Sequence, residues 1–327
     1  MSDVLLTGAT GLLGNAIARA LVAQGRTVRA LVRSPERARK VVPAACELIE
    51  GDVTDIASVR RAAAGCRVFY HAAGLPEQWL ADAGTFDRVN VGGTVNCVAA
   101  ALETGVERFV YTSTIDVFVF GGPGVPFDES AIDPNPKATA YERSKQAADR
   151  VVTEALANGL PAVFLHPSGI YGPGPETSPG TNQLLADLVK GKVPMLLPGG
   201  MPVVYSDDAA SGHILAERHA AVGARYILSE SYRSLFQIAE DVRAATGTSK
   251  VPPVMPMMVA SAVAVIGELV SAVARKPPLL PRGQLHFLQY EAHPIGARAE
   301  RELGWTPRHF ERGLLDTLTF LRETGRI

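Results

Sequence analysis

The chain has 327 residues, enough for one large domain or two interleaved ones at ~150 residues each, and its 32 Lys plus Arg balance 33 Asp plus Glu. That balance leaves no basic field to hold nucleic acid or an anionic membrane, so the expected partner is a small molecule. Three widely spaced cysteines, Cys46, Cys66 and Cys97, argue against a disulfide framework or a zinc site. No metal is expected, and reduced thiols with no basic and apolar leader lead us to expect a cytoplasmic protein.

In chain order, β-branched runs at 4–7, 28–33, 47–50, 68–71, 109–112 and 162–166 alternate with amphipathic stretches at 13–24, 91–104 and 141–157. Those stretches end at Gly25, Gly105 and Gly159, the residue type that tolerates the left-handed turn closing a helix. Strand alternating with helix predicts an α/β fold with a Rossmann-type, doubly wound parallel sheet. After Pro167 the texture changes to Gly172-Pro173-Gly174-Pro175, an isolated strand at 225–228 and an apolar stretch at 255–273. We expect a dinucleotide-binding domain over 1–168 and a smaller substrate-binding lobe over 169–327, interleaved through the strand near 225–228, with substrate between them. Ser261, Gly267, Glu268 and Ser271 interrupt the apolar stretch, so it reads as a buried or substrate-covering helix rather than a membrane span.

The first run leads into Thr7-Gly8-Ala9-Thr10-Gly11-Leu12-Leu13-Gly14. Between a strand and a helix, Gly8 permits the tight turn, Gly11 lets the backbone approach a pyrophosphate, and Gly14 allows close packing. The expected cofactor loop therefore includes Thr10, Leu12 and Leu13 as well. A carboxylate at the end of the second strand would hold the adenosine ribose of NAD, but Val32-Arg33 stands there, followed by Arg37 and Arg39. A guanidinium can pair with a 2′-phosphate, which favours NADP over NAD; Arg33 as a plain solvated charge is the alternative. Asp52 and Val53 follow the third strand, where Asp52 either accepts from the adenine amino group or caps a helix.

Tyr141-Glu142-Arg143-Ser144-Lys145 opens a helix and puts a phenol and an ammonium on one face. A phenol titrates near ~10, so at neutral pH it needs a nearby cation to act as acid or base. Tyr111-Thr112-Ser113-Thr114 supplies a row of hydroxyls at the carboxyl edge of the fifth strand, where ligands of such sheets bind. Thr114 or Ser113 would hold a substrate oxygen while Tyr141 moves its proton, with capping or turn formation as the alternative use.

This run of motifs resembles the extended short-chain dehydrogenase/reductase superfamily, the NAD-dependent epimerase/dehydratase family, over essentially the whole chain. Besides the glycine loop and Tyr141/Lys145, the resemblance rests on His71-Ala72-Ala73-Gly74, Asn90-Val91-Gly92-Gly93-Thr94, the stretch from Pro167 to Pro173, Val204-Tyr205-Ser206-Asp207-Asp208 and Glu302-Leu303-Gly304-Trp305. Within the superfamily it is similar to dihydroflavonol reductase-like, 3-beta-hydroxysteroid dehydrogenase-like and hopanoid-associated sugar epimerase-like members. The resemblance implies that Thr114, three residues before Val117, is the catalytic hydroxyl, with Ser113 as its neighbour. It further implies cofactor contacts at His71, Ala72, Ala73, Asn90, Pro167, Ser168, Gly169 and Ile170, alongside Tyr141 and Lys145, and a homodimer.

Departures from the family narrow the chemistry. Ile115-Asp116 stands where sugar-nucleotide dehydratases carry an Asp-Glu pair, so the acid that expels water is expected to be absent. His166 and Gly169 replace the Arg and Asn of many nucleotide-sugar epimerases. The apolar 255–273 stretch and a loop bearing Leu75, Pro76 and Trp79 suit a hydrophobic ketone or alcohol. The leading expectation is an oxidoreductase acting on the carbonyl or alcohol of a fairly apolar small molecule; a sugar epimerase and a non-catalytic dinucleotide sensor are the alternatives. His166, His213 and His286 are expected to be structural, and Asp207 and Asp208 to cap a helix.

Overall fold

The computed structural model describes residues 3–176, 180–247, 250–274, 278 and 280–327, with the side chains at 272–274 outside that description. Seven parallel strands form the central sheet in the order Arg225–Leu228, Ala162–Pro167, Arg108–Thr112, Val68–His71, Val4–Thr7, Val28–Val32, Glu47–Glu50. Val4–Thr7 and Val68–His71 are buried along their whole length, as expected of central strands covered by helices on both faces. One face packs Leu6, Val68, Tyr70 and Val110 against Leu13 and Ile17 of the helix Leu12–Ala23. The other packs Leu5, Phe69, Phe109 and Phe164 against Cys97, Ala101, Ala148 and Val152. These are the two layers of a Rossmann fold, as the strand and helix alternation predicts.

Chain order reverses next to Val4–Thr7: the chain winds outward through Val28–Val32 and Glu47–Glu50, then crosses to Val68–His71. Crevices at the carboxyl ends of strands at such a switch point are where these sheets bind ligands. The expected helix at 91–104 begins as a π-helical turn, Asp87–Gly92, before continuing as Gly93–Thr104. Gly105 ends the helix at φ +64°, the left-handed conformation that its sequence position predicts.

The chain beyond residue 168 builds a smaller sheet from Gly169–Tyr171, Gly200–Tyr205 and Ser231–Ser234. Its core joins Tyr171, Leu185, Tyr205, Ile238, Phe310 and Leu314. The same stretch also returns to the first layer. Arg225–Leu228 adds the edge strand, and Ala209, Ile214 and Trp305 enter the core around Leu13 and Ile17.

Two expectations are corrected. Asp207 and Asp208 lie inside the first turn of the helix Ser206–His219, whose cap position is Tyr205, so neither carboxylate caps it. Asp207 instead pairs with Arg19 at 2.7 Å, while Asp208 receives the Arg308 guanidinium at 3.0 Å and the Arg308 N–H at 2.8 Å. The apolar stretch forms the helix Met257–Ala274, which buries Ala260 and Ala264 but leaves Met258 at 86%, Leu269 at 66% and Ile266 at 61% exposure. It is not a buried helix. Among the described residues no helix is long and apolar enough to cross a membrane.

Trp305 ties the late chain to the first layer, being 1% exposed and donating its indole N–H to the Asp208 carbonyl at 2.8 Å. Trp305→Ala removes both the packing and the donor, and should cost about 3–5 kcal/mol in urea denaturation. A loss below ~1 kcal/mol would contradict this placement.

Candidate active site

The glycine loop is shaped by backbone contact. Gly8 turns at φ +81°, and a Cβ on Gly14 would stand 2.1 Å from the Gly8 carbonyl oxygen, so Gly14 is required for helix and strand to meet. Gly11 differs, because a Cβ there meets nothing nearer than the Gly8 oxygen at 3.5 Å. A side chain at Gly11 would instead fill the space before the helix Leu12–Ala23, whose N-terminus has no side-chain cap and no acidic residue in its first turn. Open space, free N–H groups and the positive helix end fit a pyrophosphate. Thr10, Gly11 and Leu12 are partly exposed there, whereas Leu13 and Gly14 are buried beneath. Arg33, Arg37 and Arg39 lie just beyond the second strand, exposed and without side-chain partners among the described residues. The residues present therefore fit a nicotinamide dinucleotide.

Asp52 does not cap the helix that follows it. Asp55 does, accepting from the Ala57 and Ser58 N–H groups at 3.0 and 3.2 Å, while Asp52 Oδ1 accepts from Thr54. Asp52 and Val53 remain partly exposed at the sheet edge.

A capping box sets the start of the helix Ala140–Ala155: Thr139 Oγ1 accepts from the Glu142 N–H at 3.1 Å, and Glu142 accepts from the Thr139 N–H at 2.8 Å. Tyr141 thus falls in the first turn and Lys145 one turn later. Lys145 Nζ donates to the Thr112 carbonyl at 2.9 Å, tying the helix to the carboxyl end of Arg108–Thr112. Burial brings this ammonium down to about 8, while the negative charges of Asp149 and Asp116 oppose the shift. Burial, and then the Asp116 charge, hold the Tyr141 phenol well above its ordinary range, while the nearby Thr114 hydroxyl works the other way. Lys145 is not among the main charges that act on this phenol, which stays protonated near neutrality.

Of the two candidate hydroxyls, Thr114 is the one near enough to act on the Tyr141 phenol. Ser113 Oγ donates to Asp149 at 2.7 Å, and Asp149 is paired with Arg225 at 2.8 Å, so the Ser113 hydroxyl is engaged elsewhere. Two expected cofactor residues are likewise turned inward. The His71 imidazole lies between the Thr7 and Thr94 hydroxyls at 2.9 and 3.0 Å, leaving its backbone at the edge. The Asn90 amide holds Leu75 on both sides and donates to Ser144 at 2.9 Å, so it shapes the 75–79 loop rather than facing a ligand. Ala72 and Ala73 lie in backbone contact with Gly8, and Gly169 and Ile170 are partly exposed beyond the buried Pro167 and Ser168.

Two acidic residues were not expected here. Asp116 is 4% exposed and accepts from Thr114 Oγ1 at 2.8 Å. Glu77 has a buried oxygen without a partner among the described residues, and its charge is felt at Tyr141. No spacing rule finds Glu77, because a loop of changing direction has no periodicity. The helix Arg282–Gln289 closes this side: a Cβ on Gly283 would stand 3.0 Å from the Gln78 carbonyl and 3.3 Å from Thr139.

Comparison with known proteins agrees with this architecture. The chain is 31% identical to the 4-hydroxy-2-methyl-3-oxo-4-farnesyl-3,4-dihydroquinoline-1-oxide ketoreductase of Stigmatella aurantiaca, covering 96% of this chain and 94% of the relative. It is 29% identical to the 2-alkyl-3-oxoalkanoate reductase of Stenotrophomonas maltophilia, covering 95% and 97%. A crystal structure of gox2253 superposes with a TM-score of 0.86 at 29% identity, covering both chains in full. Fold and relatives together define an NAD(P)-dependent oxidoreductase acting on carbonyl or alcohol groups. The chain belongs to the NAD dependent epimerase/dehydratase family, which matches residues 4–228.

Three fully buried histidines brace the site as neutral rings. Burial, aided by the nearby Lys145 charge, brings His71 down to about 3; burial brings His166 to about 3 and His213 to about 4. Each has a folded pKa below the unfolded value of ~6.5, so its contribution to stability is complete above that value and is lost as pH falls. Asp116, pushed up to about 7, acts in the opposite sense, but three groups outweigh one. The urea midpoint should fall steadily from pH 7 to pH 4; a flat profile would show that the histidines are not held neutral.

Proposed function

We propose that this enzyme is an NADP-preferring reductase of fairly apolar ketones, with Thr114 and Tyr141 holding the carbonyl oxygen. Bound NADPH supplies the hydride. Tyr141 gives the proton to the developing alkoxide, and Lys145 steadies the ribose side of the nicotinamide while fixing the helix that carries the phenol. One observation carries the reading: the helix bearing Tyr141 is anchored through Lys145 to the Thr112 carbonyl at 2.9 Å, which brings the phenol near the Thr114 hydroxyl at the carboxyl edge of the sheet. In a water-poor site two such donors stabilise charge as it develops on the oxygen.

Arg33, Arg37 and Arg39, free of carboxylate partners among the described residues, support NADP over NAD. The two curated relatives above are named for ketone-bearing substrates with alkyl or farnesyl chains, which supports an apolar substrate. Leu75, held by Asn90, and Trp79 on the same loop are both partly buried and would meet its chain. Free thiols at Cys46, Cys66 and Cys97 support a cytoplasmic enzyme, and the family resemblance supports a homodimer.

Titration with NADPH and NADH, followed by absorbance of the reduced nicotinamide with a panel of alkyl and aryl ketones, tests this. NADPH should bind about tenfold more tightly, a difference of ~1.4 kcal/mol, and Arg33→Asp should abolish the preference. Tyr141→Phe should keep NADPH binding while losing roughly 10²–10⁴-fold in turnover. Equal affinity for the two cofactors would overturn the NADP assignment, and cofactor binding without oxidation by any ketone would favour epimerase chemistry, which leaves the cofactor unchanged.

A further inference from the structure

Asp116 is built into the site by a local fold. Thr114 caps the single turn Ile115–Val117, its Oγ1 accepting from the Asp116 N–H at 3.4 Å, and the turn brings the Asp116 carboxyl back onto that same hydroxyl. Thr114 Oγ1 donates to Asp116 Oδ2 at 2.8 Å. The carboxyl has no ion pair among the described residues, although two ammonium groups are near. Lys137 is held by Asp133 at 2.8 Å and by the Phe118 carbonyl at 2.6 Å, and Lys145 by the Thr112 carbonyl. On the facing helix Glu142 adds negative charge and Tyr141 a neutral phenol. On the adjacent strand His166 is neutral and donates through Nδ1 to the Thr114 carbonyl at 3.1 Å.

A hydroxyl has one proton. While Asp116 is ionised, the Thr114 proton lies on the carboxylate and Thr114 offers other groups only lone pairs. Once Asp116 is neutral its own O–H can donate to Thr114 Oγ1, and the Thr114 proton is free to turn toward a substrate oxygen. We propose that Asp116 is a positioning residue whose charge sets the direction of the Thr114 hydroxyl, giving a substrate carbonyl two donors when Asp116 is neutral and Tyr141 alone when it is ionised. Burial and the Glu142 charge push this carboxyl up to about 7, so the exchange falls within the working range of the enzyme. The substrate half of this proposal rests on the proposed reductase function; the coupling between Asp116 and Thr114 does not.

The two halves are tested separately on the full chain. Infrared difference spectra of ¹³C-aspartate-labelled protein should show a carboxylic C=O band that disappears as pH rises through ~7 and is missing in Asp116→Asn. Thr114→Val removes the donor to the carboxylate and should raise that titration by ~1 unit. No titrating band near neutrality, or one unmoved by Thr114→Val, overturns the coupling. In NADPH-dependent ketone reduction, wild-type kcat should fall about tenfold from pH 6 to pH 9 with little change in KM. The side-chain amide introduced by Asp116→Asn donates at every pH, so kcat of that variant should vary by less than about twofold between about pH 6 and pH 7.5, below the titration of Lys145. An inflection near pH 7 retained in Asp116→Asn overturns the role in reduction. A Thr114-dependent titration without reduction of any ketone supports the coupling and overturns the reductase reading.

Discussion

The carboxyl end of the strand Arg108–Thr112 is gripped from both faces of the sheet, and the site depends on that grip. Lys145 donates to the Thr112 carbonyl from one layer, while His213 in the other layer meets the Thr112 hydroxyl at 3.0 Å. Ser113 is held by Asp149 and, through its N–H, by the Leu165 carbonyl at 2.8 Å; the Thr114 carbonyl is held by His166. With three successive residues fixed in this way, the Thr114 hydroxyl is held near the Tyr141 phenol with little freedom left to lose. Such preorganisation favours a transition state whose charge develops at one fixed oxygen.

Neutral donors dominate this framework, for an electrostatic reason. A charged imidazole beside Lys145 would add repulsion to the cost of burial, so His71 and His166 bond as uncharged rings. Charge is concentrated instead in the Asp149 and Arg225 pair behind Ser113 and in the Asp116 carboxyl beside Thr114. The first is compensated by an ion pair. The second has only a hydroxyl partner, so burial favours its neutral form.

The glycine loop and the Tyr141/Lys145 helix were legible in the sequence because both depend on local rules. Gly8 and Gly14 are required by backbone contact within one strand-to-helix turn, and a Thr139/Glu142 capping box starts the helix that bears Tyr141 and Lys145. The inward turn of His71 and Asn90 and the binding of Ser113 to Asp149 were not legible, since their partners lie 15 to 64 residues away along the chain. The helix Met257–Ala274 shows the same limit, because hydrophobicity alone does not say which face a neighbouring helix will cover.

By itself the sequence determined the alternation of strand and helix, the parallel sheet, the dinucleotide loop and the spacing of Tyr141 and Lys145, all set by short-range periodicity and backbone sterics. Tertiary structure alone decided which hydroxyl faces the phenol and which way the phenol titrates. Both depend on burial and on charges brought together from separate elements, with Asp116 turned toward Thr114, Glu142 facing it, and Asp149 drawing Ser113 away. Desolvation and Coulomb energy act through space rather than along the chain, so those choices appear only once the chain is folded.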